Sequence, residues 1–365
     1  MSSRNLRATL RGSQYRKELV KGWLAVVQYT RARNIDAEKE WKRHPLRGEK
    51  TLEGFVQHLY ECDPISNYLL AKHGLLAAQT FCPRLKGKLS SAWEAFESWG
   101  QERPGRLRLA LPLPCLVAMI IMARVNALSS DGESAYLWWA CSVLLETGFF
   151  ALLRPGELLG LSRDKVLLPG GVTSLGGKFA LCAVENPKNR RQLGKTQFAV
   201  VRSEVTTIWL GWLCSGLAPK AKLWPSSQHK FRSMVKTLAG QVGLKSWRVL
   251  PSCLRPGGTT FYFTGGIEPN RLLFWGRWSS EKSLRHYIQE SISAQLMVQL
   301  PENNKTQLLT VLEHGAILLK PLSRPWWKIS SRKDTNLADI LARVETCAPA
   351  SHQDNSAWQK LYPLP

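Results

Sequence analysis

The sequence predicts a mainly α-helical protein with one small antiparallel β-sheet. Three observations carry that expectation. Apolar residues recur at helical spacing through most of the chain. Residues 166–201 instead break into short apolar runs around Pro169-Gly170-Gly171 and a basic loop over 185–195, the pattern of paired strands. At 365 residues and 44% hydrophobic content, the chain is long enough for two domains with packed cores and a tail.

Taken in order, residues 1–50 read as a basic N-terminal arm with some helix over 15–32. Residues 51–104 read as a small helical domain, because Leu52, Phe55, Val56 and Leu59, then Leu69, Leu70, Leu75 and Leu76, then Trp93, Phe96 and Trp99 fall on helical faces. Arg103-Pro104-Gly105-Arg106 marks a linker. The larger domain, 105–300, opens with helices over 116–127 and 135–153. Pro155 suits a first-turn position and starts a short helix through Leu161. Strands follow at 166–168, 179–184 and 198–201, then helices over 204–215, 227–242, 259–264, 269–275 and 280–292. Residues 301–365 form a C-terminal tail with helix candidates at 307–314 and 337–344.

The net charge is +23, unevenly spread: +8 over residues 1–50, −1 over 51–104, +14 over 105–300 and +2 over the tail. Such a surplus favours a polyanionic partner, nucleic acid or an anionic membrane surface. The apolar run at 115–123 is too short to span a bilayer, and the run at 136–153 is interrupted by Glu146 and Thr147, so it reads as a buried helix. The first residues are basic and polar, without the apolar core of a signal peptide. The eight cysteines are scattered, with no Cys-x-x-Cys pair and no zinc spacing, and read as small buried hydrophobes of a reducing compartment. A soluble intracellular protein is expected.

Two arginine motifs stand out, Leu153-Arg154-Pro155-Gly156-Glu157-Leu158 and Leu254-Arg255-Pro256-Gly257-Gly258, followed by Gly276-Arg277-Trp278-Ser279-Ser280 with Tyr287 nine residues after Trp278. Each has an ordinary reading. Arg154 and Glu157, three apart, are an ion pair on a helix surface; the Gly257-Gly258 pair is a turn or a close approach to a ligand; Lys188 lies in a solvated basic loop; Tyr287 shares a helical face with Leu284 and Ile288 and fills the core. Together they suit cleavage of a phosphodiester. Two arginines can clamp the non-bridging oxygens as charge builds in the transition state, because the guanidinium offers paired charge-assisted hydrogen bonds and keeps its proton. A lysine on a loop can protonate the leaving oxygen. A phenol can be the nucleophile, and a phosphotyrosyl link stores the bond energy for rejoining.

In this order and spacing the residues resemble the catalytic signature of the tyrosine recombinases of phage integrase type, over roughly residues 110–292. The form Leu-Arg-Pro-Gly-Gly-Thr-Thr with Gly-Arg-Trp-Ser-Ser is most similar to recombinases of eukaryotic, DIRS-like mobile elements. The resemblance implies a helical core-binding domain at 51–104 and a catalytic domain at 105–300. It also implies double-stranded DNA as partner, assembly as a homo-tetramer on DNA, no membrane, no cofactor and a nuclear location. It implies that Tyr287 forms a 3′-phosphotyrosine, Arg154 and Arg255 hold the non-bridging oxygens, Lys188 protonates the 5′-oxygen, Trp278 supports the phosphate and Glu157 buttresses the first arginine. The pattern departs at Ser252, where the family carries His or Lys. A serine can hydrogen-bond phosphate but bears no charge, which supports an alternative: a catalytically inactive DNA-binding protein on the same fold.

Overall fold

The computed structural model describes residues 13–102, 109–170, 179–185, 187, 193–320 and 358–362. The chain forms two compact units, Met1–Arg106 and Leu107–Pro365.

The first unit is helical: α1 (Ser13–Arg31), α2 (Ala37–Arg43), α3 (Pro45–Cys62), α4 (Tyr68–Phe81) and α5 (Ser90–Glu102). The predicted face Leu52, Phe55, Val56 and Leu59 is buried, with Val26, Leu75, Phe96 and Trp99 against it. On α4 the buried stripe is Ala71, Gly74, Leu75 and Ala78, which leaves Leu69 exposed. Residues 13–50 differ from the expected arm. Leu19, Gly22, Val26 and Thr30 are buried, a stripe spaced three and four apart beneath the basic surface of α1, and Trp41 on α2 is buried too. Gly22 allows α1 to meet α4 backbone to backbone; a β-carbon there would lie 2.4 Å from the His73 carbonyl carbon.

The second unit is built around α6 (Leu113–Leu128) and α7 (Gly132–Phe150), which are apolar and buried nearly all round. Arg124 and Glu146, both fully buried, form an ion pair between them. Arg124 also donates to the Leu318 carbonyl at 2.8 Å and lies over the Trp209 ring, so the interruption at Glu146 is answered inside the core. No helix among the described residues is long and apolar enough to cross a membrane.

The short α8 (Pro155–Leu158) leads to a three-stranded antiparallel sheet in the order β1 (Val166–Leu167), β2 (Ala180–Glu185), β3 (Thr196–Val201). Val166 pairs with Cys182, and β2 pairs with β3 from Ala180↔Val201 to Glu185↔Thr196. Alternate β2 residues Ala180, Cys182 and Val184 face the core. Helices α9 (Glu204–Cys214), α10 (Gln228–Gln241), α11 (Leu254–Thr264), α12 (Pro269–Gly276), α13 (Glu281–Arg285), α14 (Glu290–Val298) and α15 (Glu302–Gly315) follow, with α16 (Trp358–Leu361) near the end. The described residues are therefore mainly α with a small antiparallel sheet, as the sequence predicts.

Three boundaries are corrected. Helix α11 begins at Leu254 rather than 259, since Pro256 sits in its first turn, where no N–H is needed. The single helix expected over 280–292 is two, α13 and α14, with Tyr287 in the turn between them. The turn is held from α11: Thr260 Oγ1 donates to the Tyr287 carbonyl and accepts from the Gln289 N–H, each at 3.1 Å. The expected tail belongs, up to residue 320, to this unit: Leu308, Val311 and Leu312 are buried and Gly315 packs on Ile121. Tyr362 stacks on Phe150 at 5.3 Å. The helix candidate at 337–344 lies outside the described residues.

Candidate active site

Arg154 follows α7, after Leu152 takes a left-handed backbone conformation (φ 51°). The next residue, Pro155, favours an extended Arg154 (φ −72°, ψ 150°), so the arginine stands at the mouth of α8 rather than inside it. Glu157, one turn on, does both things the spacing allows. Its carboxylate accepts from the Arg154 backbone N–H at 3.0 Å and from Arg154 Nη1 at 2.6 Å. The pair is not an ordinary surface bridge, because the Glu157 side chain is only 8% exposed.

Arg255 lies in the first turn of α11, 2% exposed. The two glycines after it explain its position. A β-carbon on Gly257 would lie 2.4 Å from the Leu111 carbonyl oxygen, and one on Gly258 would lie 2.1 Å from the Phe149 carbonyl oxygen. The pair therefore serves close approach to the chain's own backbone, not a turn and not a ligand. It seats α11 against the end of α7 and so brings Arg255 beside Arg154.

Helix α12 ends at Gly276, and Arg277 caps it in the left-handed region (φ 58°, ψ 44°). That reversal folds the Trp278 ring back onto Gly276, where a β-carbon would collide with it. Arg255 Nη2 donates to the Gly276 carbonyl. Its guanidinium carbon lies 4.4 Å from the centre of the Trp278 ring and 5.5 Å from that of Tyr287. The two rings stand 5.1 Å apart, tilted by 58°. Tyr287 is half-buried and His286 exposed. Ser252 is half-buried in the 3-10 turn Pro251–Cys253, three residues before Arg255.

Arg154, Glu157, Arg255, Trp278 and Tyr287 thus gather in one place, with Ser252 one turn away from Arg255 along the chain. Lys188 lies outside the described residues, between strands β2 and β3, which end and begin at Glu185 and Thr196. The residue that sequence reasoning missed is Arg277. Its Nη2 lies 2.7 Å from Glu157 Oε2, and it is 5% exposed. The available signal was its place in Gly-Arg-Trp, but in a chain with 50 lysines and arginines one more basic residue does not draw notice.

Three guanidinia surround one carboxylate. Burial by itself raises the Glu157 pKa, but the Arg277 charge, the Arg154 N–H and the Arg154 charge outweigh it and hold the carboxyl below its ordinary value. Burial pushes the Arg255 pKa down to about 9, helped by repulsion from Arg154 and Arg277 and opposed by Glu157 and Tyr287; it stays charged at neutral pH. Arg255 Nε and Nη1 and Trp278 Nε1 are buried without a hydrogen-bond partner among the described residues. Buried donors of this kind are normally satisfied. Cationic donors in surplus over carboxylate acceptors suit an oxyanion, and a phosphate oxygen fits that description. No group of His, Cys, Asp and Glu among the described residues is arranged to hold a metal ion.

No protein-family model and no curated protein sequence matches the chain. Solved structures do. One is the XerH site-specific recombinase bound to palindromic difH substrate in a post-cleavage complex, at 14% identity and TM-score 0.46, covering 68% of this chain and 72% of that one. A second is the Tn1549 transposon integrase in complex with transposon right end DNA, at 13% identity and TM-score 0.46, covering 76% and 98%. A third is the XerA recombinase, at 13% identity and TM-score 0.39, covering 78% and 98%.

Proposed function

We propose that this chain cuts and rejoins DNA strands through a 3′-phosphotyrosine. The observation that carries the reading is the set of buried, unpartnered donors on Arg255 and Trp278 beside the Tyr287 phenol, in a site where guanidinia outnumber carboxylates. The Tyr287 phenol gives its proton to water as its oxygen attacks the scissile phosphorus, and the bond from phosphorus to the 5′-oxygen breaks. Arg154 and Arg255 hold the two non-bridging oxygens, the Trp278 indole N–H donates to one of them, and Glu157 fixes Arg154. Lys188 supplies the proton taken up by the 5′-oxygen. Rejoining runs the same steps backwards, so no nucleotide cofactor enters.

The substrate is double-stranded DNA, gripped largely through phosphates by a chain of net charge +23, so binding weakens steeply with salt. In this reading the helical unit serves as the core-binding domain, the protein assembles as a tetramer on DNA, and its reaction is site-specific recombination or integration of a mobile element in a nucleus.

The test is a library of nicked duplexes of randomised sequence, resolved on a denaturing gel after incubation with the protein. A DNA-linked band that vanishes in Tyr287→Phe while binding persists supports the reading, and an equal band in the variant removes Tyr287 from it. Ser252 favours a second reading, a DNA-binding protein without catalysis; salt-sensitive binding with no adduct from the whole library selects it.

A further inference from the structure

We infer that Arg277 is a positioning residue that keeps Arg255 available for phosphate by occupying the Glu157 oxygen that Arg255 would otherwise take. The inference rests on the phosphodiester reading of the site.

The argument starts from one atom. Glu157 Oε1 is held by Arg154 Nη1 at 2.6 Å. Glu157 Oε2 accepts from the Arg154 N–H at 3.0 Å and from Arg277 Nη2 at 2.7 Å. Arg255 Nη1 faces the same Oε2 but stands off at 3.8 Å, beyond hydrogen-bond range. A buried guanidinium that close to a carboxylate gains by closing the gap, since charge-assisted pairs are strong where water is scarce. Arg277 is what stands in the way. With the Arg277 Nη2 on Oε2, Arg255 keeps Nε and Nη1 without a hydrogen-bond partner among the described residues.

The backbone supports this. Arg277 takes φ 58°, a conformation in which glycine is at ease and an arginine is not. A buried side chain held there at a conformational cost points to a use for the side chain.

Arg277→Gly is the sharpest variant, because glycine suits the left-handed backbone and leaves the turn free to form. It is compared with Glu157→Gln and with the double variant, by single-turnover adduct formation and by binding of inorganic sulfate against chloride at matched ionic strength, read from the melting curve. Arg277→Gly should slow adduct formation about a hundredfold with DNA affinity within about threefold, and should weaken sulfate binding at least about tenfold. In the Glu157→Gln background the same change should have little effect on either, because no carboxylate remains to capture Arg255. Equal losses in both backgrounds, or none in either, overturn the inference. A protein that forms no adduct but shows this sulfate pattern loses the cleavage reading and keeps the role of Arg277.

Discussion

Gly258 meets Phe149 so closely that a β-carbon on the glycine would stand 2.1 Å from the Phe149 carbonyl oxygen. Backbone cannot yield as a side-chain tip can, so α11 must move away from α7 to admit a methyl group. Gly258→Ala is expected to lower stability by about 2 kcal/mol and to separate Arg255 from Arg154. A thermal melt coincident with the parent would show that the contact tolerates a methyl and that the seat of α11 is softer than described.

Glu157 gives a pH signature. Its folded pKa is depressed, so the ionised carboxylate contributes stability that is present above the ordinary value of 4.5 and is lost as pH falls through the lower folded value. Removing it leaves two buried guanidinia, Arg255 and Arg277, and the half-buried one of Arg154 without their common partner. Glu157→Gln is expected to be less stable by about 3 kcal/mol near neutral pH, and the gap should narrow as acid neutralises the parent's carboxyl. Denaturant titrations at several pH values decide it; a gap constant down to pH values below 4.5 would contradict the depressed pKa.

Arg255 is held at one end by the Gly276 carbonyl and has donors to spare. Lysine keeps the charge but cannot reach the carbonyl and a phosphate oxygen with a rigid fork. Arg255→Lys should slow adduct formation by about a hundredfold or more, with DNA affinity little changed. A loss of affinity in proportion to the loss of rate would make Arg255 a docking residue instead.

The Arg124–Glu146 pair permits a separation of charge from packing. Glu146→Leu strands a fully buried arginine and is expected to destabilise by about 3–5 kcal/mol. Adding Arg124→Met removes the stranded charge and should restore part of that loss, less what the Leu318 carbonyl forfeits with its donor. Urea midpoints of the two variants and the parent test it; a double variant less stable than Glu146→Leu would refute the account.

Arg154, Glu157, Arg255, Trp278 and Tyr287, which the structure gathers in one place, can be picked out in the sequence; Arg277 cannot, and the geometry can be read only in part. Arg154 and Glu157 announce their pairing by a spacing of three, because one helical turn brings such residues together; Trp278 and Tyr287, nine apart, stand out only through the resemblance to the recombinase signature. What could not be read depends on contacts between distant segments. No proline or glycine lies between 281 and 292, so nothing local reveals that the helix breaks at Tyr287; Thr260, far back in the chain, breaks it by taking over backbone groups on both sides. The Gly257-Gly258 pair signals close approach without saying to what. Arg277 escapes notice because its partner, Glu157, lies 120 residues away. On α4 the leucine pattern places Leu69 inside, whereas it is exposed, because small residues such as Gly74 line the contact with α1.

The turn that carries Tyr287 is tied by Thr260 to the same helix that carries Arg255. Phenol, indole and guanidinia therefore belong to one polypeptide and cannot be shared out. In a mixture of chains lacking Tyr287 with chains lacking Arg255, every site is broken in one way or the other. Complementation between the two is expected to fail, however many copies meet on a single duplex.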